Sequence, residues 1–251
     1  DDGNSGYGTA VVYKITSDTA ISVGTSVVFN SADSDPGSDS NKAICADPDT
    51  GRVVAVFRTS NTVKAVVGAV NSGTDVTTWG SVTAITGTDN CQFPNIVYDP
   101  NVDRVLITYK NNTTANDPLE AIVGTVTGGT DNSIAFGTKA AVTSADTNGN
   151  ATAFDPDTNK FLVAWENDTD TAGEAAVATI SGTDISFGTT VVIQTDSFAY
   201  VDVGYDQNVN KFLVMYADSG DSGKLKSVVG TISGTDVSFG SEVEINDRLN
   251  Y

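Results

Sequence analysis

The sequence predicts an all-β fold: a β-propeller of four-stranded antiparallel blades, five in number, built as four whole blades plus one split or incomplete blade. Three observations predict it: two hairpin motifs repeat at a common period, the composition is that of strands and turns, and each motif carries its own turn chemistry. The first motif reads VVGTISGTDVSFGSEVEI at 228–245 and AVATISGTDISFGTTVVI at 176–193. It recurs at 122–142, is worn at 66–85, and is faintest at 11–29. The glycines closing its second strand, Gly24, Gly80, Gly137, Gly188 and Gly240, are spaced by 56, 57, 51 and 52 residues. A repeat of this length made of strands is the mark of a propeller blade, with a linear stack of β units as the alternative.

The second motif falls between copies of the first. It reads AICADPDTGRVVAVFR at 43–58, NIVYDPNVDRVLITYK at 95–110, ATAFDPDTNKFLVAWE at 151–166 and DVGYDQNVNKFLVMYA at 202–217. Its anchoring acids Asp47, Asp99, Asp155 and Asp206 keep the same period. Asp-Pro-Asp-Thr-Gly and its relatives set up a type I turn: Asp caps the turn's own backbone, Pro fixes φ, and Gly or Asn takes the left-handed position. Ser-Gly-Thr-Asp serves the other hairpin. Interchangeable aromatics end the strands: Phe57, Tyr109, Trp165 and Tyr216 in one motif, Trp79, Phe136, Phe187 and Phe239 in the other, with Val23 in the faintest copy. Interchange of this kind marks packing positions, and a sugar-stacking platform at either Trp is the lesser reading.

Written inner hairpin then outer hairpin, residues 9–29 are an outer hairpin with no inner partner. Whole blades follow at 42–85, 93–142, 150–193 and 200–245, all within one propeller domain over 1–251. The tail 246–251 aligns with the linker into a further inner hairpin. The economical expectation is a fifth blade mixing the N-terminal outer hairpin with an inner hairpin after Tyr251, which joins the ends and removes open edges. Supply of that hairpin by a neighbouring chain, or a window cut from a longer array, is the alternative. The start, DDGNSGYG, has no Met and reads as processed or excised.

Composition narrows function mainly by exclusion. The formal charge is −19, with 13 Lys plus Arg against 32 Asp plus Glu, which argues against a nucleic-acid partner. No apolar run is long enough for membrane insertion, and no signal peptide is visible. Such acidity suits a salty, extracellular or virion setting. The chain has no histidine, which removes Ser-His-Asp and Cys-His hydrolases and His-containing metal sites. Two cysteines, Cys45 and Cys91, cannot build a thiolate zinc site, and they allow either one disulfide or two free thiols. Phosphate-loop and dinucleotide motifs are absent.

Paired carboxylates remain for a glycosidase on a propeller scaffold. The acids, however, sit mostly in turns, and the four arginines, Arg52, Arg58, Arg104 and Arg248, are not an obvious sialidase cluster. The expectation is therefore that the chain is not an enzyme. Calcium is the most credible cofactor, since hard cations want several oxygens from a flexible loop. Its candidate ligands are Asp168, Asp170 and Glu174 in ENDTDTAGE, and Asp33, Asp35 and Asp39 in SADSDPGSDSN. Neither loop matches a spaced calcium-binding pattern, and solvated acidic loops without metal are the plainer reading.

Taken together, VVGTISGTDVSFG (228–240) and FDPDTNKFLVAW (154–165) resemble repeat segments of tail-fibre and other virion proteins of marine bacteriophages, and of large secreted proteins of marine bacteria. The resemblance covers about residues 7–245 and implies an extracellular or virion-surface module. The expected function is non-enzymatic attachment or display, with a host-surface glycan or protein as partner. A self-assembling fibre or filament subunit, partnered by neighbouring copies, is the alternative, and a carbohydrate-active enzyme the remote one. No catalytic residue carries over.

Overall fold

The structure is a computed structural model describing residues 6–17, 19–34, 43–71, 76–87, 90–128 and 132–246. It is a β-propeller of four whole blades and part of a fifth. The N-terminal outer hairpin is β1 (Tyr7–Ala10), β2 (Tyr13–Ser17), β3 (Ala20–Val23) and β4 (Val27–Asp33). Blade 1 holds β5 (Ala43–Asp47), β6 (Arg52–Thr59), β7 (Thr62–Asn71), β8 (Val76–Trp79) and β9 (Thr83–Ala84). Blade 2 holds β10 (Cys91–Asp99), β11 (Arg104–Asn111), β12 (Leu119–Thr127), β13 (Ser133–Phe136) and β14 (Ala140–Ala141). Blade 3 holds β15 (Thr147–Asp155), β16 (Lys160–Asn167), β17 (Ala172–Ser181), β18 (Asp184–Phe187) and β19 (Val191–Gln194). Blade 4 holds β20 (Phe198–Asp206), β21 (Lys211–Asp218), β22 (Lys224–Ser233), β23 (Asp236–Phe239) and β24 (Val243–Asn246).

Each whole blade has four lines of strand, the fourth broken in two. In blade 3 the order is β15-β16-β17-β18, with β19 also paired to β17. The break falls at the repeated glycine, whose N–H donates back to the third strand: Gly80 to the Val67 carbonyl at 2.9 Å, Gly188 to Val177 at 2.8 Å, Gly240 to Val229 at 2.9 Å. The N-terminal segment follows the same plan, with Gly24 donating to Val12, β2 paired to β3 and β1 to β4. Among the described residues no inner strand pairs with it.

The turns form as their residues require. Asp155 Oδ1 accepts from the backbone N–H of Asp157 at 2.9 Å and of Thr158 at 3.3 Å, and Asp47 does the same for Asp49 and Thr50. The turn-exit residues Gly51, Asp103, Asn159 and Asn210 all have φ between 52° and 65°.

Cores lie between blades rather than within them. Leu162, Ala164, Ala175 and Val177 of blade 3 are covered by Phe212, Val214, Tyr216 and Val228 of blade 4. Equivalent clusters join blades 2 and 3 and blades 1 and 2. A smaller one sets Phe29 of the N-terminal hairpin on Phe57 and Trp79, with ring centroids 5.1 Å apart in both pairs. The predicted inner aromatics Phe57, Tyr109, Trp165 and Tyr216 are all fully buried. Cys45 and Cys91 are not joined in a disulfide, and burial, seconded by the Asp47 charge, pushes the Cys45 thiol up to about 12. No helix among the described residues is long and apolar enough to cross a membrane.

One difference concerns where blades begin. The innermost strands start at Cys91, Thr147 and Phe198, two or three residues before the expected 93, 150 and 200. Each carries a bulge six residues ahead of its anchoring Asp, at Phe93, Gly149 and Tyr200, with φ of 51°, 66° and 53°. The extra residue disrupts the period-two alternation from which the boundary is read.

Candidate active site

The second strand of each inner hairpin carries the buried aromatic two residues before its end, and the next residue points to the opposite side of the sheet. Across the four blades that next position holds Arg58, Lys110, Glu166 and Ala217. The frame repeats while this position varies in charge, the pattern expected where function rather than packing selects the residue.

These side chains sit at the end of the blades where second-to-third-strand turns meet the connections between blades. Backbone hydrogen bonds stitch that end together: Asn112 N–H to the Asn90 carbonyl at 2.7 Å, Asp168 to Asp146 at 2.8 Å, Ser219 to Ser197 at 2.8 Å. Arg58 is spent on structure, donating from Nη2 to Asn61 Oδ1 at 2.8 Å and Asn90 Oδ1 at 3.0 Å. Lys110 and Glu166 are placed differently. The buried Lys110 ammonium donates to Asp146 Oδ1 at 3.1 Å and lies 3.7 Å from Asp117 Oδ2. Both of those carboxylates are about one-third exposed, at 37% and 35%.

Glu166 is only part-exposed. Burial, seconded by the negative charge of Asp168 and opposed by Lys110, pushes its carboxyl up to about 7. Blades 2 and 3 thus gather a carboxyl that keeps its proton near neutral pH, a lysine and further carboxylates at one rim. Two carboxyl groups with divergent environments are the chemical requirement for general acid–base work.

The innermost strands bring further polar groups and strain to the same end. Asn150 accepts from Thr108 Oγ1 at 2.6 Å and donates from Nδ2 to the Phe93 carbonyl at 2.8 Å, bridging blades 2 and 3 across the bulge. Asn112 donates to Gln92 Oε1 at 2.6 Å. Phe93 and Tyr200 hold left-handed backbone, which bulky residues rarely adopt and which gathers at functional sites. Tyr200 is 76% exposed, an aromatic face open to solvent on the innermost strand of blade 4.

The sequence-predicted calcium ligands fall elsewhere. Asp168 and Asp170 sit in a turn whose N–H groups at Thr169 and Asp170 are capped by Asn167 Oδ1, at 3.1 and 3.2 Å. Glu174 lies opposite Trp165 in the β16–β17 register and accepts its indole N–H at 3.0 Å, a packing role. Asp33 lies at the end of β4 opposite Tyr7, and Asp35 and Asp39 are outside the described residues. Among the described residues the one trio of acids within 4.8 Å of each other is Asp47, Asp49 and Asp103, in turns at the other end of blades 1 and 2. There the Tyr98 hydroxyl is shared between Asp49 Oδ2 at 3.0 Å and Asp103 Oδ1 at 2.7 Å. Of the predicted ligands only Asp168 borders the Glu166 cluster. Sequence reasoning passed over Glu166, Lys110, Asp146 and Asp117, although aligning the repeats exposes the Arg/Lys/Glu/Ala position.

No family model and no curated protein matches the chain. Solved structures match in fold. AofleA from Arthrobotrys oligospora, in a triple arginine-to-alanine mutant, is 11% identical over 92% of this chain, with a TM-score of 0.56. Two glutamate variants of the exo-β-1,3-galactanase from Phanerochaete chrysosporium, each with β-1,3-galactotriose, are 11% identical over 94% and 95%, with TM-scores of 0.50 and 0.52. This chain spans 63% of the first protein's length and 54% of the galactanase's. Likeness at this identity establishes the propeller and nothing about chemistry. The expectation that the chain is not an enzyme, but a non-enzymatic attachment module or fibre subunit, is corrected at its premise: the propeller it was read from is also the scaffold of an enzyme. That enzyme is a galactanase, and glycosidic cleavage in general, which uses two carboxyl groups, does not call on the histidine this chain lacks.

Proposed function

We propose that the protein is a carbohydrate-active enzyme that cleaves glycosidic bonds at the rim between blades 2 and 3. The observation that carries this reading is Glu166, a part-buried carboxyl held up to about 7 within reach of the charge of Lys110, which itself pairs with Asp146. In the proposed mechanism protonated Glu166 donates to the departing glycosidic oxygen. Asp146, oriented by Lys110, acts from the other side of the sugar ring on water or on the anomeric carbon. Lys110 holds Asp146 in one direction, and exposed Tyr200 offers a stacking face for a sugar ring. β-1,3-linked galacto-oligosaccharides are the first substrate class to try, because the galactanase that shares the fold is solved with one.

The test is reducing-sugar release from β-1,3-galactotriose, by the wild-type chain and by Glu166→Gln and Asp146→Asn. Wild type should cleave, with an alkaline limb near pH 7. Either variant should lower kcat by about 10²-fold or more, with KM little changed. A wild-type chain that leaves this and a panel of other β-linked oligosaccharides intact would end the proposal, as would a Glu166→Gln chain that cleaves at the wild-type rate.

A further inference from the structure

The two ends of the blade array are unfinished in complementary ways. Leu213 of blade 4 is 41% exposed, whereas its counterparts Leu162, Leu106 and Val54 are 0%, 1% and 0%. Val229 is 46% exposed, whereas Val177, Val123 and Val67 are at most 1%. In blades 1 to 3 this face is covered by the inner hairpin of the following blade; in blade 4 nothing among the described residues covers it. At the opposite end, Ile21 of the N-terminal hairpin is 66% exposed, while its counterpart Val237 is 6%. Between that hairpin and blade 1 lies an open, mostly apolar cleft of about 300 Å³, lined by Phe29, Ile44, Ala55, Phe57, Trp79 and the β1 edge at Thr9–Val11.

The cleft has a definite place in the repeat. In a whole blade the third strand pairs on its inner side with the second strand; among the described residues β1 and β2 pair only outward, to β4 and β3. A second strand laid along β1 and β2 would set one row of side chains into the cleft against Ala55 and Phe57. Its other row would face away from blade 1, in the sense that covers Leu213 and Val229 of blade 4. That is the arrangement already present at three blade interfaces.

We infer that the β1–β2 edge and its cleft are a docking site for one inner-type β-hairpin, two strands joined by the Asp-anchored turn and ending in an aromatic. The hairpin adds to the edge by backbone pairing and closes the fifth blade, with its apolar row in the cleft and its aromatic row on blade 4. This inference is independent of the catalytic reading.

The experiment supplies the hairpin as a synthetic peptide copying residues 150–167 to the purified chain. Titration calorimetry and the fluorescence of a hydrophobic dye follow binding. The expected result is saturable 1:1 binding, with dye fluorescence falling about threefold or more as exposed apolar surface is covered. A peptide with Asp in place of Trp165 should not bind. Leu213→Asp, at an already exposed position, should weaken capture about tenfold or more while leaving the melting temperature unchanged. Absence of binding to a folded, monomeric chain overturns the inference. So does association of the chain into dimers or polymers that exclude the peptide, which makes a second copy the occupant.

Discussion

Glu166 and Lys110 fill one repeat position in neighbouring blades, and what separates their roles is surroundings rather than sequence context. The Lys110 charge is paired with Asp146 and Asp117, whereas Glu166, desolvated by burial and facing the added negative charge of Asp168, holds its proton. A consequence follows for stability. The folded chain keeps the Glu166 proton up to about pH 7, while an unfolded chain releases it near 4.5. Between those values the folded state binds more protons, so this group's contribution is fully present below pH 4.5 and is lost as pH rises through 7. Glu166→Gln should therefore be more stable than wild type at pH 8, by about 1 kcal/mol once the residue's partial exposure is allowed for, and indistinguishable at pH 4. Urea unfolding of both proteins across pH 4–8 measures it. A difference independent of pH would mean that Glu166 titrates normally. Aligning the repeats marks this position but not its chemistry, because burial and the charge of Asp168 set the Glu166 carboxyl, and Glu166 belongs to a motif whose other residues are structural.

Each outer hairpin carries a glycine that the sequence reading takes only as the close of its second strand, and the structure gives two of these glycines a further task. A Cβ on Gly137 would lie 2.0 Å from the Thr183 carbonyl oxygen of blade 3, and one on Gly188 would lie 1.8 Å from that of Thr235 in blade 4. The Ser-Gly-Thr-Asp turns of blades 3 and 4 thus each rest on the glycine of the blade before. Gly240 has no following turn; the nearest atom to its Cβ would be the Val229 oxygen at 3.8 Å. Gly188→Ala should cost about 2–3 kcal/mol through backbone displacement at the interface, and Gly240→Ala less than about 0.5 kcal/mol. Denaturant midpoints for the two variants decide the matter, and equal losses would refute it. The hairpins, their turns and the inner aromatic core were legible because they follow local rules of alternation and capping. The blade starts at Cys91, Thr147 and Phe198 were not, since a bulge shifts the alternation. The pairing of Glu174 with Trp165 was hidden for a related reason: it is set by cross-strand register, and register is invisible in a loop-centred reading.

At the scale of the molecule, blades touch chiefly their neighbours, so stability should be distributed along the array as in other repeat proteins. Blades 2 and 3 are covered on both faces, and Leu106, Ile107, Leu162 and Val163 on their second strands are all buried. Blade 4 is covered on one face, and the N-terminal β2–β3 ribbon on neither: Tyr13, Ile15, Ile21 and Val23 are all exposed. A ribbon of two strands with little apolar cover is marginal in water. Its opening free energy should therefore lie far below that of the central blades. Hydrogen exchange followed by mass spectrometry should rank protection accordingly, with segments 104–127 and 160–181 slowest, 211–233 intermediate and 13–23 fastest. Peptide docked along β1 and β2 should then slow exchange most in 13–23 and next in 211–233, the two segments flanking the proposed blade, and leave 104–127 unchanged. Uniform protection along the free chain would contradict the neighbour-by-neighbour picture. It would mean that the array unfolds as one cooperative body, with its end faces already stabilised by contacts other than those between successive blades.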